Sequence, residues 1–275
     1  MVDWNQIWKD AFLQSRLTGD NYYDNEERAK SYDDSENIWI DGDKRAITLS
    51  PDPSWSVLDI GSGPGILTVP LAHRVRAVTA VEPSLPMISR LKRHLDEENL
   101  SNVEIINSRW EDISADELEA HDLVIASYSL NFEDLRQALL KINRLAKRLV
   151  VLYWFAGITN WELIRMDLFS QVHNRKLALF PKCNVIYNLL YDLGLYPDVE
   201  ILQGTSFPKG YADYGKALFY LKSTLNIFDE THDELLHKYI EDRWRRGDGR
   251  LFMDDRTTYV KLSWRPKDVD IEMQP

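Results

Sequence analysis

The sequence predicts an α/β protein built on a doubly wound, mostly parallel sheet, and three observations support this prediction. From residue 55 to about residue 203, short apolar runs alternate with amphipathic segments, as in a parallel sheet with helices on both faces. The first apolar run leads into a turn with three glycines, at residues 57–65, which read VLDIGSGPG. Glu82 ends a second apolar run, at residues 77–81. Strand, glycine turn, helix, strand and acid form the layout of a nucleotide-binding βαβ unit.

The spacing of the glycines indicates which nucleotide this turn binds. A dinucleotide site needs the pattern G-x-G-x-x-G, whose third glycine would fall where this chain has Ile66. The chain has G-x-G-x-G instead, with Asp59 two residues before the first glycine. This pattern resembles motif I of the class I S-adenosylmethionine (SAM)-dependent methyltransferases, and the resemblance extends over about residues 45–155. A phosphate-binding or NAD site on a similar sheet is the alternative.

The resemblance implies that SAM is the cofactor and assigns residues to its methionine and ribose ends. Asp59 would order the glycine turn or reach the amino group of SAM through water. Glu82 would accept hydrogen bonds from the two ribose hydroxyls, since a carboxylate offers acceptors to both. The methionine end of SAM would lie on the glycine turn, in contact with Gly61, Ser62, Gly63 and Gly65.

The chain departs from the family pattern on the adenine side of the predicted site. The resemblance places Met87 over the adenine, in a stretch that begins with Glu82 and Pro83. A methionine that fills a gap in the core is the alternative for Met87. After the third strand, Trp110 would stack on adenine while Glu111 reads the adenine amino group, with Asp112 as the other candidate for that contact. The alternative for Trp110 is closure of the sheet edge beside solvated acids.

Residues that follow the fourth strand are expected beside the reactive methyl group. The resemblance places Ser127 and Tyr128 there, and an aromatic ring face suits the positive charge of a sulfonium. Tyr128 and Asn131 are the candidate catalytic residues, and no general base is evident. Tyr32 lies in a stretch that resembles the lid of small-molecule methyltransferases, and a helix packed outside the sheet is its alternative. No histidine spacing suits a metal site, so we predict no metal.

The chain is expected to have four segments around this site. They are a helical lid over residues 1–50, a SAM-binding core over 51–203, a helical insertion over 204–255 and a last strand with a tail over 256–275. In the resembled family the seventh and last strand is antiparallel and lies between the fifth and sixth strands. Residues 257–264 alternate between apolar and polar positions as this strand would. The resemblance therefore implies a seven-stranded sheet with an antiparallel last strand.

Single residues predict where several elements begin and end. Asp3 is placed to cap a first helix, and Ser84 to cap another helix with Leu85 on its inward face. The basic run at residues 243–250 is expected to be a helix end capped by Gly247, and a site for an acidic substrate is its alternative. The insertion is expected to hold two helices, at about 209–225 and 229–245. Further strands are predicted at 103–106, 123–126, 149–154 and 199–202.

Composition excludes several classes of protein. The 275 residues carry a formal net charge of −11, which argues against a broad nucleic-acid surface. The single cysteine, Cys183, excludes an internal disulfide framework. The longest apolar run, residues 149–158, is shorter than the roughly 20 residues that a membrane span needs. With no secretory signal visible, a cytoplasmic protein without a membrane partner is expected.

The methyl acceptor is expected to be a small molecule, because two segments flanking the predicted site are rich in aromatic residues that suit an enclosed pocket. An RNA or protein methyltransferase and a non-catalytic SAM-binding protein are the alternatives, and the acceptor atom and oligomeric state stay open. These aromatic residues, which would otherwise form the segments' own core, are Trp4, Trp8, Phe12, Tyr22, Tyr23, Phe207, Tyr211, Tyr214, Phe219 and Tyr220.

Overall fold

The structure, a computed structural model, describes residues 2–15, 22–34, 36–203, 209–253 and 257–269. Phe207, one of the aromatic residues expected to surround the methyl acceptor, lies outside these ranges. The chain divides into two compact units. The first unit consists of Met1–Trp154, Pro181–Glu200 and Val260–Pro275, and the second consists of Phe155–Phe180 and Ile201–Tyr259.

The described residues form ten strands and ten α-helices. The strands are β1 (Ser56–Ile60), β2 (Ala77–Val81), β3 (Val103–Ile106), β4 (His121–Ser127), β5 (Ala146–Phe155), β6 (Asp198–Gln203), β7 (Lys209–Tyr211), β8 (Arg245–Gly247), β9 (Arg250–Met253) and β10 (Thr258–Trp264). The helices are α1 (Trp4–Ser15), α2 (Glu26–Asp33), α3 (Glu36–Leu49), α4 (Thr68–Ala72), α5 (Leu85–Glu97), α6 (Leu135–Leu145), α7 (Asn160–His173), α8 (Cys183–Asp192), α9 (Tyr214–Leu225) and α10 (Asp233–Arg243).

Seven of these strands form one sheet in the order β3-β2-β1-β4-β5-β10-β6. The last strand, β10, is antiparallel and lies between β5 and β6, which confirms the predicted fold class. The central strand β1 is parallel to both β2 and β4, and Ile60 is in register with Val81 and Ala126. All of β1 is buried, as its apolar run predicts for a strand covered on both faces. Because the strand order reverses on either side of β1, a crevice forms at the carboxyl ends of β1 and β4.

The N-terminal helices are fixed to the first unit by buried groups. Asp3 caps α1 as predicted, since its carboxylate accepts from the Gln6 N–H at 3.0 Å. Trp8 is fully buried, and its Nε1–H donates to the Phe132 carbonyl at 2.7 Å. Asp33 at the end of α2 is also buried, and its carboxylate accepts from Arg93 on α5 at 2.6 Å. Trp8 therefore belongs to the core, in line with the alternative given for the aromatic residues.

The start of α5 confirms one prediction and corrects another. Ser84 caps the helix, because its hydroxyl accepts from the Met87 N–H at 3.4 Å. Leu85 is 66 % exposed, so its predicted inward position is wrong. It is the first residue of the helix, and Met87 and Ile88 supply the buried apolar contacts of the first turn.

The second unit has its own core and its own sheet. The strands β7, β9 and β8 form an antiparallel three-stranded sheet in that order. Within the core, the ring of Tyr211 stacks on the ring of Trp244 with centroids 5.0 Å apart. The buried residues of this core are Ile164, Leu168, Tyr211, Ala217, Leu221, Leu225, Leu236, Ile240, Trp244, Leu251 and Met253.

This unit also corrects the sequence interpretation of its basic run. The helix α10 ends at Arg243, and the chain then forms a hairpin of β8 and β9, so Gly247 is not a helix cap. Residues 209–211, expected at the start of a helix, form the edge strand β7. The pairing of strands far apart in sequence overrides the local helical pattern here.

Candidate functional site

The glycine turn follows β1 and has a backbone shape that its glycines permit. Gly61, Gly63 and Gly65 all have positive φ, at 70°, 57° and 100°. A Cβ on Gly61 would lie 2.3 Å from Cβ of Ser129, so no side chain fits there. A Cβ on Gly63 would meet nothing within 4 Å. The turn is therefore packed against the protein at Gly61 and borders open space at Gly63.

Glu82 ties the end of β2 to the glycine turn. Its carboxylate accepts from the Gly63 N–H and from the Ser84 N–H, each at 2.9 Å. The side chain is only 6 % exposed, and this burial raises the pKa of Glu82 to about 7. A carboxylate held at the tip of β2 by two backbone donors has further lone pairs for the hydroxyls of a ligand.

Asp59 acts on the same turn from inside the sheet. It is 2 % exposed, and its carboxylate accepts from the Thr68 hydroxyl at 2.7 Å. Burial raises the pKa of Asp59 to about 6. Because Thr68 is the first residue of α4, this bond joins the strand before the turn to the helix after it. Of the two roles expected for Asp59, this contact favours ordering of the loop.

The remaining predicted residues of the turn and of the adenine side differ in exposure. Ser62 is 6 % exposed, and the described residues offer no hydrogen-bond partner to its Oγ. Met87 is buried, whereas Pro83 is exposed. An unpaired hydroxyl in the turn and an open space at Gly63 fit a polar ligand such as the aminocarboxylate end of SAM.

Trp110 and Glu111 lie together after β3. Trp110 is buried, and the Lys141 ammonium lies 4.2 Å from the centroid of its ring. Glu111 is paired with Arg109 at 3.7 Å. Both residues line a groove of about 900 Å³ along α6. Because Lys141 covers one face of the Trp110 ring, stacking on adenine would have to use the other face.

The carboxyl end of β4 places Ser127 and Tyr128 beside the turn. Tyr128 has a positive φ of 57°, which is uncommon for a residue with a side chain, and its N–H donates to the Tyr153 carbonyl at 3.0 Å. The hydroxyl of Ser129 donates to the Ile60 carbonyl at 2.5 Å, which joins this segment to β1. The candidate catalytic residue Asn131 is exposed.

Arg45, a residue that the sequence analysis did not select, reaches this end of β4 from α3. It is 8 % exposed, its Nη1 donates to the Ser127 hydroxyl, and its guanidinium carbon lies 5.1 Å from the centroid of the Tyr128 ring. One signal could have found it. The buried face of α3 contains, at helical spacing, Gly42, Arg45 and Ala46. Arg45 is therefore a charged residue on the side of the helix that faces the core.

Tyr32, on α2, is held near the same edge by the N-terminal segment. Its ring centroid lies 5.2 Å from that of Tyr23, and the Tyr23 carbonyl accepts from the Ser84 hydroxyl at 2.8 Å. Burial raises the pKa of the Tyr32 hydroxyl, and Arg45 opposes this shift electrostatically. The structure therefore brings Tyr32, Glu82 and Arg45 to one end of the sheet.

Comparison with known sequences points to the same kind of protein as the glycine turn and Glu82 do. Residues 57–148 match the family model described as "Methyltransferase domain". An uncharacterized protein of Haemophilus influenzae is 28 % identical over 162 residues, which are 59 % of this chain and 58 % of that protein. A probable ribosomal RNA small subunit methyltransferase A of Methanosphaera stadtmanae is 36 % identical over 75 residues, 26 % of this chain and 28 % of that protein. The matches thus span less than two thirds of both curated relatives.

Solved structures share the fold at low sequence identity. The YcgJ protein of Bacillus subtilis has a TM-score of 0.57 at 12 % identity, covering 83 % of this chain and 99 % of that chain. A protein of Bacillus halodurans has a TM-score of 0.58 at 14 % identity, covering 82 % of this chain and 99 % of that chain. These likenesses concern the fold alone.

The fold and the domain match together identify the class of protein. Residues 57–148 are a methyltransferase domain, and the seven-stranded sheet that carries this domain has the fold of the class I SAM-dependent methyltransferases. SAM is the cofactor of this family. Within the residues that the structure describes, no helix is both long and apolar enough to cross a membrane.

Proposed function

We propose that this protein transfers the methyl group of SAM to a small-molecule acceptor at the carboxyl ends of β1, β2 and β4. The observation that carries the proposal is the joint position of Glu82 and Gly63. A buried carboxylate bonds to the backbone of a glycine turn that borders open space. This arrangement suits a ligand with vicinal hydroxyls at one end and a charged polar group at the other.

The surroundings of Glu82 and of the glycine turn support roles for these residues in holding the cofactor, and the other predicted residues are assigned by the resemblance. Glu82 would accept from the ribose hydroxyls while it keeps the turn in place. The Ser62 hydroxyl, unpaired among the described residues, and the turn's backbone would hold the methionine end. Met87 and Pro83 would contact the adenine, with Trp110 and Glu111 at its edge, and Tyr32 would cover the ligand from α2.

Methyl transfer from SAM requires little chemical activation by the protein. Bound SAM supplies a methyl group on a positively charged sulfur, which needs no further activation. The protein has to align the acceptor for in-line displacement and exclude water. Tyr128 suits the alignment, because its φ of 57° turns the chain beside the end of β4 and an aromatic face favours a neighbouring positive charge. Asn131 is the second candidate for contact with the acceptor.

Transfer of labelled methyl groups tests this function. The protein would be incubated with methyl-labelled SAM and a cell extract, and the products separated by size. After unreacted SAM is removed from the small-molecule fraction by chromatography, we expect labelled small molecules with the wild type and none with the Glu82→Ala variant. A protein that binds SAM but labels no fraction would be a non-catalytic SAM-binding protein, which would contradict the proposal.

An RNA acceptor is the second candidate, and one relative favours it. The Methanosphaera stadtmanae protein is named for ribosomal RNA methylation, although it matches only 26 % of this chain. The β8–β9 hairpin of the second unit displays the exposed residues Arg246 and Arg250, which would suit phosphates. The net charge of −11 argues against this candidate, since RNA enzymes need a basic surface. Label that appears in RNA and disappears after ribonuclease treatment would favour it.

A further inference from the structure

Arg45 is a buried cation whose hydrogen-bonding capacity is only partly used. Its side chain is 9 % exposed, and the Asp41 carboxylate lies 2.9 Å from its Nε without the alignment of a hydrogen bond. Its Nη1 donates to the Ser127 hydroxyl. The described residues give no acceptor to the Nη2 amino group of Arg45. A guanidinium carries five N–H donors, so several remain for a ligand.

The surroundings of Arg45 fix the guanidinium rather than neutralise it. Its carbon lies 5.1 Å from the centroid of the Tyr128 ring and 5.3 Å from that of the Tyr153 ring. Asp41, the ion-pair partner, is 38 % exposed, so water weakens that pair. Two aromatic faces and a hydroxyl thus hold the planar guanidinium in one orientation, which prepares it for an acceptor that takes two parallel N–H bonds.

The backbone of α3 keeps Arg45 at this place. Gly42, one helical turn before Arg45, touches the chain after the glycine turn, because a Cβ there would lie 2.3 Å from the Ile66 carbonyl oxygen. The close approach at Gly42 brings α3 near enough for Arg45 to reach β4. Arg45 is therefore positioned by the fold.

We propose that Arg45 binds a carboxylate group of the methyl acceptor, so that the substrates of this protein are small carboxylic acids. The inference rests on the proposed methyl transfer. A carboxylate matches the planar fork of a guanidinium in shape and charge. The partners of Arg45 stand at the ends of β4 and β5, where Ser127 is in register with Tyr153, whereas Glu82 stands at the end of β2. A group bound by Arg45 would thus lie at the end of β4, where the reactive methyl group is expected, and two strands along the sheet from Glu82.

SAM also carries a carboxylate, so the first arm of the test separates the two sources. Binding of S-adenosylhomocysteine and of 5′-methylthioadenosine, which lacks the aminocarboxylate, would be measured by calorimetry for wild type and Arg45→Gln. We expect both affinities to stay within about threefold of wild type. A tenfold or larger loss of S-adenosylhomocysteine affinity would overturn the proposal. Unchanged 5′-methylthioadenosine affinity would then identify the cofactor's own carboxylate as the partner of Arg45.

The second arm sorts acceptors by charge before the reaction. A small-molecule cell extract would be passed over an anion exchanger, and the bound carboxylic acids eluted at about pH 2.5, where groups with pKa values near 4 are protonated. Each fraction, returned to neutral pH, would be incubated with the protein and labelled SAM. We expect a labelled product, separated from unreacted SAM, only with the acid-eluted fraction, and its amount should fall about tenfold to a hundredfold with Arg45→Gln.

Matched variants decide whether the loss is specific. Arg45→Lys keeps the charge but not the fork and should recover part of the labelling. Arg148→Gln removes an exposed arginine, paired with Asp122 at 2.9 Å, and should label as wild type does. Label from the unbound fraction, or equal labelling by Arg45→Gln, would overturn the inference while leaving methyl transfer intact. Absence of label from every fraction would instead contradict the proposed function and, with it, this inference.

Discussion

The two units of the chain each bury a glutamate, and they use it differently. Glu162, in the second unit, accepts from the N–H and the hydroxyl of Thr159, each at 2.9 Å, and so closes a capping box at the start of α7. Glu82, in the first unit, joins a strand end to a glycine turn and has its pKa raised to about 7. The first arrangement is a helix cap. The second places a buried carboxylate, with a raised pKa, against a glycine turn at the end of the sheet, which is typical of a binding site.

The two units also differ in the other groups that they bury. Around Glu82 lie a second buried acid, Asp59, and the partly unpaired cation Arg45. The second unit has an apolar and aromatic core, and its hairpin arginines are exposed. The first unit thus gathers buried charged groups at the end of the sheet where we propose the site, whereas the buried core of the second unit is mainly apolar and aromatic.

The largest expected effect comes from removing the two glutamates in turn. Glu82→Ala should weaken binding of S-adenosylhomocysteine by about 3 to 6 kcal/mol, because the variant loses the two charge-assisted hydrogen bonds that we propose between Glu82 and the ribose. Glu162→Ala should leave that affinity unchanged and lower the free energy of unfolding by about 1 to 2 kcal/mol, the usual loss for a helix cap. Calorimetry and chemical denaturation measure the two quantities. Equal losses of affinity in both variants would remove the contrast.

The pH dependence of stability should be the next largest effect. The pKa of Glu82 is raised from 4.5 to about 7, so the folded state holds this proton more tightly than the unfolded state does. Its contribution to stability is therefore full below pH 4.5 and is lost as the pH rises through 7, a change of about 3 kcal/mol. Asp59, with its pKa raised from 3.8 to about 6, acts in the same direction at lower pH.

The affinity for S-adenosylhomocysteine should change with pH in the direction opposite to stability. The ionised carboxylate is the better acceptor for ribose hydroxyls, so S-adenosylhomocysteine should bind more tightly as the pH rises from about 6 to 8. Denaturation and calorimetry at a series of pH values would record how stability and affinity change. The control Glu82→Gln should remove the pH dependence of affinity and reduce the pH dependence of stability to the part that Asp59 contributes. If the stability and the S-adenosylhomocysteine affinity of the wild type change in the same direction with pH, Glu82 is excluded as the titrating group.

Two glycines of the turn offer a smaller, sharper comparison. Gly63→Ala should cost about 1 to 2 kcal/mol of stability, the strain of a positive φ, because its Cβ would enter open space. Gly61→Ala should cost more, because its Cβ would lie 2.3 Å from that of Ser129. If the space at Gly63 holds the cofactor, Gly63→Ala should also weaken S-adenosylhomocysteine binding, as calorimetry on the folded variant would measure. Normal affinity would place the cofactor elsewhere.

The smallest effect is expected at the hairpin of the second unit. Combined substitution of Arg246 and Arg250 by alanine should change stability by no more than about 0.5 kcal/mol, because both side chains are exposed. S-adenosylhomocysteine affinity and methyl transfer to the small-molecule fraction should equal those of wild type. Loss of methyl transfer in this variant, with cofactor affinity intact, would favour a polyanionic acceptor such as RNA.

Local sequence patterns predicted the sheet and the turn, because their determinants lie close together in the chain. The apolar run of β1, the three glycines and the acid after β2 all fall within residues 57–82. The antiparallel position of β10 came from the family resemblance, since no local pattern specifies the neighbours of a strand.

Contacts between distant segments explain what the sequence analysis missed. Arg45 meets Ser127 across 82 positions, and only the burial of α3 against the turn brings the two together. The β8–β9 hairpin was interpreted as a helix end because basic residues and a glycine also suit a helix C-terminus. Its pairing with β7, which lies more than thirty residues earlier, decides the outcome.

The central claim is that Glu82 and the glycine turn form a SAM site, and titration calorimetry tests it most directly. The full chain would be titrated with SAM, S-adenosylhomocysteine, NAD and NADP under identical conditions. We expect SAM and S-adenosylhomocysteine to bind at one site per chain, each with affinity reduced by Glu82→Ala, and NAD and NADP to produce no heat of binding. Binding of NAD or NADP without binding of SAM would contradict the account.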